Sequence, residues 1–381
     1  MTQISDFAAK LREAVAQWIG PPGDILDLRR LTAGATKATW AFTAQIGDMR
    51  QALILQISTP VSQNNSTSAR FPKLSGNDDA AMLLAAAKAG VPAPPVRAVL
   101  PPDCGLGEGC ITDFVLGETI ARRILRETQF AALRENFASQ CGEILACIHA
   151  MDAAQLPFLA PLNGARQIAL YRNIYDSYDY PVPALEVGFR WAEDHLPATA
   201  RSTVVHGDFR MGNLICGEQR IHAVLDWELA CIGDPMQDLG WLCVKTWRFG
   251  GGDPVGGVGR REDLFAAYER ASGIRVDPTH VRFWEGWGCV RWAIMCLAKG
   301  LAYMLATVER ELNLGPAANA AEADRLTTLV GAEGSLEEKN QRLSHAIRNG
   351  YLASDDPQVL DHLYRTIVDG LRINNPKWLN A

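Results

Sequence analysis

The sequence of 381 residues has no Cys-x-x-Cys pair and no surplus of basic residues, and it has no uncharged apolar run of the ~18 residues that a membrane helix needs. The longest apolar candidate, Cys289 to Val308, is broken by Arg291 and Lys299, so no membrane partner is expected. Lys and Arg number 37 against 43 Asp and Glu, for a formal charge of −6. The broad cationic footprint of a nucleic-acid binder is therefore missing. Residues Met1 to Trp18 lack the continuous apolar core of a signal peptide, because Asp6, Lys10, Arg12 and Glu13 stand among Phe7, Leu11, Val15 and Trp18. The nine cysteines are scattered and odd in number, and none has tight zinc spacing. Small buried thiols in a reducing, cytoplasmic setting are the expectation. What remains is ordinary globular composition, 48% hydrophobic and 21% charged, which excludes disordered and collagen-like chains. The length allows two or three domains with a sizeable core.

Along the chain, Phe7, Leu11, Val15 and Trp18 sit at helical spacing. Trp40 to Ile46 and Gln51 to Ile57 read as strands joined by a turn at Gly47 and Asp48. Asp78 to Lys88 is Ala- and Leu-rich and reads as a helix, with Asn77 or Asp78 as its cap and Gly90 and Pro92 as its stop. Gly109 to Leu116 is a further strand, and the spacing predicts a lobe boundary at Asp113 to Gly117. A long helix follows over about Gln129 to Met151, and its apolar face includes Phe130, Leu133, Phe137, Cys141, Ile144, Leu145 and Ile148. The prolines at 157, 161, 181 and 183 predict a partly irregular stretch over residues 157 to 185. Thr203 to Val205 is a short strand, and Leu214 to Cys216 with Ile221 to Leu225 form a hairpin. Beyond Asp238 the pattern is mostly helical. The glycine-rich stretch Gly250 to Gly259 lacks a GK[ST] ending and reads as a mobile loop.

The informative segment is Val204 to Leu214, which contains His206-Gly207-Asp208 and Asn213, followed by Val224 to Glu228, which contains Asp226. A carboxylate stands at the end of a strand, a carboxamide follows five residues later, and a second carboxylate comes thirteen residues after that, across a hairpin. A strand–loop–strand of this length can bring all three to one mouth. Phosphoryl transfer uses such a set: one carboxylate for the acceptor hydroxyl, and an Asn oxygen and a second carboxylate for the Mg²⁺ that bridges the phosphates.

The segment His206-Gly207-Asp208 through Asn213 resembles the HGDxxxxN catalytic loop of the aminoglycoside phosphotransferase and choline-kinase-like family. Asp226-Trp227-Glu228 is similar to that family's metal-binding element, and Gly233-Asp234-Pro235 through Asp238-Leu239-Gly240-Trp241 is similar to its GDPxxDL segment. The match is densest over residues 203 to 249 and runs loosely from about 28 to 305. It resembles most a bacterial branch associated with acyl-CoA dehydrogenases, on Trp247-Arg248-Phe249-Gly250 and Pro254-Val255-Gly256-Gly257, and the last 80 or so residues resemble a small helical domain of unknown function. The resemblance implies an α+β, two-lobed protein-kinase-like fold: a β-rich N-lobe over 1–115, a mainly helical C-lobe over 116–305 and a helical extension over 306–381. It implies Asp208 as the catalytic base or the group that orients the hydroxyl, Asn213 and Asp226 as Mg²⁺ ligands, His206 as a brace within the loop and Asp238 as the anchor of its backbone.

In the upper lobe the pattern departs from the family. Leu31 to Trp40, with Gly34, Thr36 and Lys37, stands at the phosphate-covering loop with one glycine where the family often has two. The next strand puts Gln56 where a Lys or Arg should grip the phosphates, and Asp79 aligns with the acid that would pair with that cation. Three readings follow: a nearby cation (Lys37, Arg70 or Lys73) substitutes, Mg²⁺ and Gln56 suffice for a slower enzyme, or the chain is a nucleotide-binding pseudoenzyme. The adenine hinge falls at Thr112 to Val115, with Asp113 and Phe114 contributing backbone groups. The expected activity is an ATP- and Mg²⁺-dependent transfer of the γ-phosphoryl group to a hydroxyl of a small molecule, a hydroxylated acyl or other metabolite in preference to an antibiotic. Lys245, Arg248 and Arg291 are candidates to meet an acidic group on it, and Trp284, Trp287 and Trp292 are either core or a substrate wall. The alternative is a nucleotide-binding pseudokinase that serves as a sensor or scaffold for a protein partner.

Overall fold

The computed structural model describes residues 2–31, 37–58, 74–178, 183–198 and 201–312. They fall into two compact units, the first reaching Gly164 and resuming from Pro197 to Gly288, the second holding Ala165–Leu196 and the chain from Cys289 onward.

The first unit opens with helix α1 (Thr2–Trp18) and strands β1 (Pro22–Leu31), β2 (Lys37–Ile46) and β3 (Met49–Ser58). Helix α2 (Gly76–Lys88) and strands β4 (Val96–Leu100) and β5 (Gly109–Asp113) follow. The five strands form one antiparallel sheet in the order β1-β2-β3-β5-β4. Alternation along β2 and β3 sends Ala38, Phe42, Ala44, Leu53, Leu55 and Ile57 to one core with Leu11, Ala14 and Val15 of α1. The opposite face carries Lys37, Thr39 and Gln56. Two strands escape a reading of the sequence. β1 has register shifts between Pro22 and Ile25 and between Leu26 and Arg29, with Asp27 at φ 54°, so its alternation is broken. β4 is a five-residue strand that follows Pro92, Pro94 and Pro95.

Helix α2 starts at a capping box built on Ser75, whose side chain accepts from Asp78 N while the Asp78 carboxylate accepts from Ser75 N. The cap is therefore Ser75, with Asn77 and Asp78 inside the first turn. This start places Asp79 at the head of the helix, with 7% of its surface exposed.

Next come α3 (Ala121–Arg126) and α4 (Ala131–His149), then in the second unit α5 (Gly164–Asp176) and α6 (Pro183–Asp194). Of the stretch expected to be partly irregular, residues 157–163 form turns and coil and α5 is helical, while Pro181 lies outside the described residues. Pro157 and Pro161 precede α5, and Pro183 occupies the first residue of α6, where its missing N–H has no partner to lose. Within the second unit Arg172 pairs with Glu186 at 2.6 Å and lies 5.0 Å over the Phe189 ring.

Returning to the first unit, β6 (Thr203–Val205) leads through the His206–Asn213 loop to the hairpin of β7 (Leu214–Cys216) and β8 (Ile221–Val224). Strand β9 (Cys231–Gly233) pairs with β6. Helices α7 (Met236–Cys243), α8 (Arg261–Ser272) and α9 (Pro278–Leu312) follow. Trp284 and Trp287 are buried in the core. Residues 250–259 are a packed element and not the free loop that their glycines suggest: Val255 is fully buried and bridges to Gly259, and Asp253 bridges to Gly257. Among the described residues no helix is long and apolar enough to cross a membrane. Six of the nine cysteines are buried, as expected, and Cys289 is exposed.

Candidate active site

The site is built at the C-terminal end of β6. Asp238, in the first turn of α7 and fully buried, holds the loop: its Oδ2 accepts from His206 N at 2.7 Å and its Oδ1 from Gly207 N at 2.9 Å. Its Oδ2 also lies 3.2 Å from His149 Nε2. Burial alone would raise this carboxyl's pKa, but the hydrogen bond and charge of His149, with His206 behind them, outweigh burial and hold it below the usual range. Gly207 bends the chain at φ 78°, and a Cβ there would lie 2.3 Å from Leu229 O, so no larger residue fits.

His206 is buried, and its ring bonds fix one tautomer. Asp208 N donates to Nδ1 at 3.2 Å, so Nδ1 is bare, and Nε2–H then donates to Leu225 O at 3.0 Å. Burial lowers its pKa, against the pull of Asp238 and Asp208, and the neutral ring suits this role. Leu225 N donates to Asn213 O at 2.8 Å, so the segment carrying Asp226 is stitched to the loop carrying Asp208.

Asp208 and Asn213 meet directly: Asn213 Nδ2 donates to Asp208 Oδ2 at 2.7 Å and to Asp208 O at 3.0 Å, which leaves the Asn213 Oδ1 as its acceptor atom. Two further donors, with no role in the sequence reading, complete the set. Trp241 Nε1 donates to Asp208 Oδ1 at 2.8 Å, and Arg210 Nε lies 3.1 Å from the same oxygen, its guanidinium 4.7 Å over the Trp247 ring. The signal for Trp241 was present: it lies three residues after Asp238 on a helix, hence on the same face.

Asp226 follows β8 at φ 63°, a left-handed conformation that a non-glycine residue keeps only where its surroundings enforce it. Its pKa rises to about 6, chiefly through burial, then through the neighbouring charges of Glu228 and Asp208, while Lys37 and Arg210 oppose the rise. Asp208, Lys37 and Arg210 thus lie within electrostatic reach of Asp226. Among the described residues no three His, Cys, Asp or Glu side chains gather around a metal position. The donors on offer are one amide oxygen and one buried carboxylate destabilised by other acids. That set fits Mg²⁺, which takes one or two protein oxygens and completes its shell with phosphates and water.

In the N-terminal sheet, Lys37 is ion-paired with Asp79, while Gln56 sits on β3 opposite Thr39 and Cys110. Gly34, Thr36, Arg70 and Lys73 lie outside the described residues. Asp113 and Phe114 lie at the end of β5, but their N–H groups are spent within the lobe, on Pro95 O at 2.9 Å and Ala52 O at 3.0 Å. The Asp113 carboxylate is held by Arg97 Nε at 2.7 Å and Gln51 Nε2 at 2.8 Å, and Arg97 holds its pKa below the usual range. Among the cations suggested for the acceptor, Arg248 is taken up by Glu285 at 2.9 Å and by Cys243 O, Arg291 lies over the Tyr171 ring in the second unit, and Lys245 is exposed.

An antiparallel sheet followed by a mostly helical remainder that carries this loop defines a fold of the protein-kinase-like class. The chain belongs to the phosphotransferase enzyme family, whose model matches residues 27–284. A second model, for a domain of unknown function, matches residues 298–378. The chain is similar to acyl-CoA dehydrogenase family member 10 of Mus musculus, with 32% identity over 177 residues, 44% of this chain and 16% of that protein. It is also similar to family member 11 of Homo sapiens, with 28% identity over 183 residues, 43% of this chain and 24% of that protein. It thus spans under a quarter of the length of these curated relatives. Among solved structures, a Ralstonia eutropha protein assigned provisionally to the aminoglycoside phosphotransferases shares the fold with a TM-score of 0.57 at 18% identity, covering 97% of this chain and 98% of that one. The macrolide 2'-phosphotransferase of Brachybacterium faecium gives 0.52 at 19% identity, covering 82% and 96%.

Proposed function

We propose that the chain is an ATP- and Mg²⁺-dependent phosphotransferase that moves the γ-phosphoryl group to a hydroxyl of a small molecule, with residues 1–115 as its nucleotide lobe and 116–305 as its catalytic lobe. The observation that carries this reading is the bonded pair of Asp208 and Asn213 with Asp226 stitched beside it through Leu225. Asp208 accepts a hydrogen bond from the acceptor hydroxyl and takes its proton as the new O–P bond forms and the bond from the γ-phosphorus to the ADP oxygen breaks. Three donors already hold this carboxylate in place, so it serves foremost as an orienting group. Asn213 Oδ1 and the Asp226 carboxylate would hold the Mg²⁺, which would supply charge neutralisation to the phosphates. Arg210 and Trp241 keep Asp208 in one rotamer. The names of the curated relatives favour a hydroxylated acyl group as the acceptor.

The neutral Gln56 favours a second reading, a nucleotide-binding scaffold. Titration calorimetry with Mg·ATP separates these from a chain that binds no nucleotide: wild type binds, and Asp226→Asn weakens binding by at least about tenfold, the loss of one charged contact. Equal affinity in the variant, or none in wild type, defeats the assignment.

A further inference from the structure

Residue 56 is neutral where the fold's phosphate-gripping cation is expected, yet a cation stands beside it on another strand. In the antiparallel register of β2 and β3, Lys37 is opposite Ser58 and Thr39 is opposite Gln56. Lys37 and Gln56 are therefore diagonal neighbours on one face of the sheet, about 7 Å apart at their backbones, a gap that the four-carbon stem of lysine spans. That face is opposite the one packed on α1. The Lys37 ammonium is paired with the Asp79 carboxylate at the head of α2, and the two side chains are only 14% and 10% exposed. Asp79 Oδ1 is buried without a hydrogen-bond partner, so the acid is spent on the lysine. The same positive charge opposes the rise of Cys110, the residue opposite Gln56 on β5, so it faces the Gln56 position.

We propose that Lys37, reaching across from β2 and oriented by Asp79, supplies the cation that binds the phosphates of the nucleotide, and that Gln56 is tolerated on β3 because that charge has moved one strand over. Lys37 binds phosphate directly, and Asp79 is a positioning residue acting through it. The inference rests on the cleft being a nucleotide site.

The test is a set of calorimetric titrations with Mg·ATP and with adenosine, on full-length wild type, Lys37→Met, Lys37→Met/Asp79→Asn and Lys37→Met/Gln56→Lys. The second variant removes the pair without leaving a buried unpaired carboxylate, so it reports even where Lys37→Met does not fold. We expect both cation-free variants to lose about tenfold to a hundredfold in Mg·ATP affinity. We expect adenosine affinity to be unchanged and Lys37→Met/Gln56→Lys to recover most of the loss. Wild-type binding of Mg·ATP that persists undiminished in Lys37→Met/Asp79→Asn overturns the role of Lys37 and leaves the nucleotide reading intact. Equal losses for Mg·ATP and adenosine, with no recovery on Gln56→Lys, reduce the pair to scaffolding and also overturn it. No binding of Mg·ATP by wild type overturns both.

Discussion

Asp238 is fully buried. Its two oxygens take the backbone N–H groups of His206 and Gly207 and face the His149 ring, all inside the core. Asp238→Ala strands those donors, and at about 1–3 kcal/mol for each buried unsatisfied group the loss of stability should be about 3 kcal/mol or more, read as a lower denaturant midpoint. A loss below about 1 kcal/mol would show that the loop is held by something else. His206 makes a separate prediction, with its sign fixed by burial. Its native pKa lies below the value of 6.5 it has when unfolded, so protonation favours the unfolded chain as the pH falls below about 6.5. A His206→Gln variant carries no such penalty. Its stability deficit against wild type should be largest at pH 7 and above and should narrow at lower pH. A deficit that stays constant from pH 7.5 to pH 5, a window chosen about that titration, contradicts a buried neutral ring.

Elements set which residues can meet. The hairpin of β7 and β8 and the pairing of β6 with β9 bring Asp208, Asn213 and Asp226 together; β6, β7 and β8 were legible because their turn residues and short apolar runs are local signals, whereas the three-residue β9 was not foreseen. The broken alternation of β1 hid it. Arg210 was hidden for another reason: it is spaced as an ordinary loop residue, and for Trp241 the helix face was legible but its partner is set only by the tertiary approach of α7 to the loop. The pairing of Lys37 with Asp79 is a contact 42 residues apart along the chain, beyond any periodicity. Helix α2 gives the element-scale prediction. Ser75→Ala removes the capping box, costs about 1 kcal/mol and loosens the turn that carries Asp79. Its melting temperature should fall and its Mg·ATP affinity should fall with it. An affinity unchanged alongside a lowered melting temperature would separate the cap from the site.

At the scale of the whole molecule, ligand binding and stability are linked. A nucleotide that binds only the folded chain stabilises it by about 2.7 kcal/mol at a hundredfold excess over Kd. Mg·ATP should therefore raise the thermal midpoint by several degrees, and Asp226→Asn should blunt the rise. The acidic balance of the chain and the two stretches matched by separate family models leave the acceptor and the role of residues 298–378 to chemistry outside the Asp208 loop. The fold was readable because the three motifs in order resemble those of one family, whose fold the resemblance implies. The acceptor was not, since its contacts come from surfaces that no fixed spacing marks.

The most direct measurement is product formation. Wild type with Mg·ATP is incubated with a panel of alcohols, hydroxy acids, hydroxyacyl thioesters and amino sugars, and phosphorylated product is followed by mass spectrometry beside ADP release. The account predicts a phosphate ester on at least one acceptor, formed by wild type and lost in Asp208→Asn. Nucleotide binding with no ester on any acceptor, or ester formed equally well by Asp208→Asn, would contradict it.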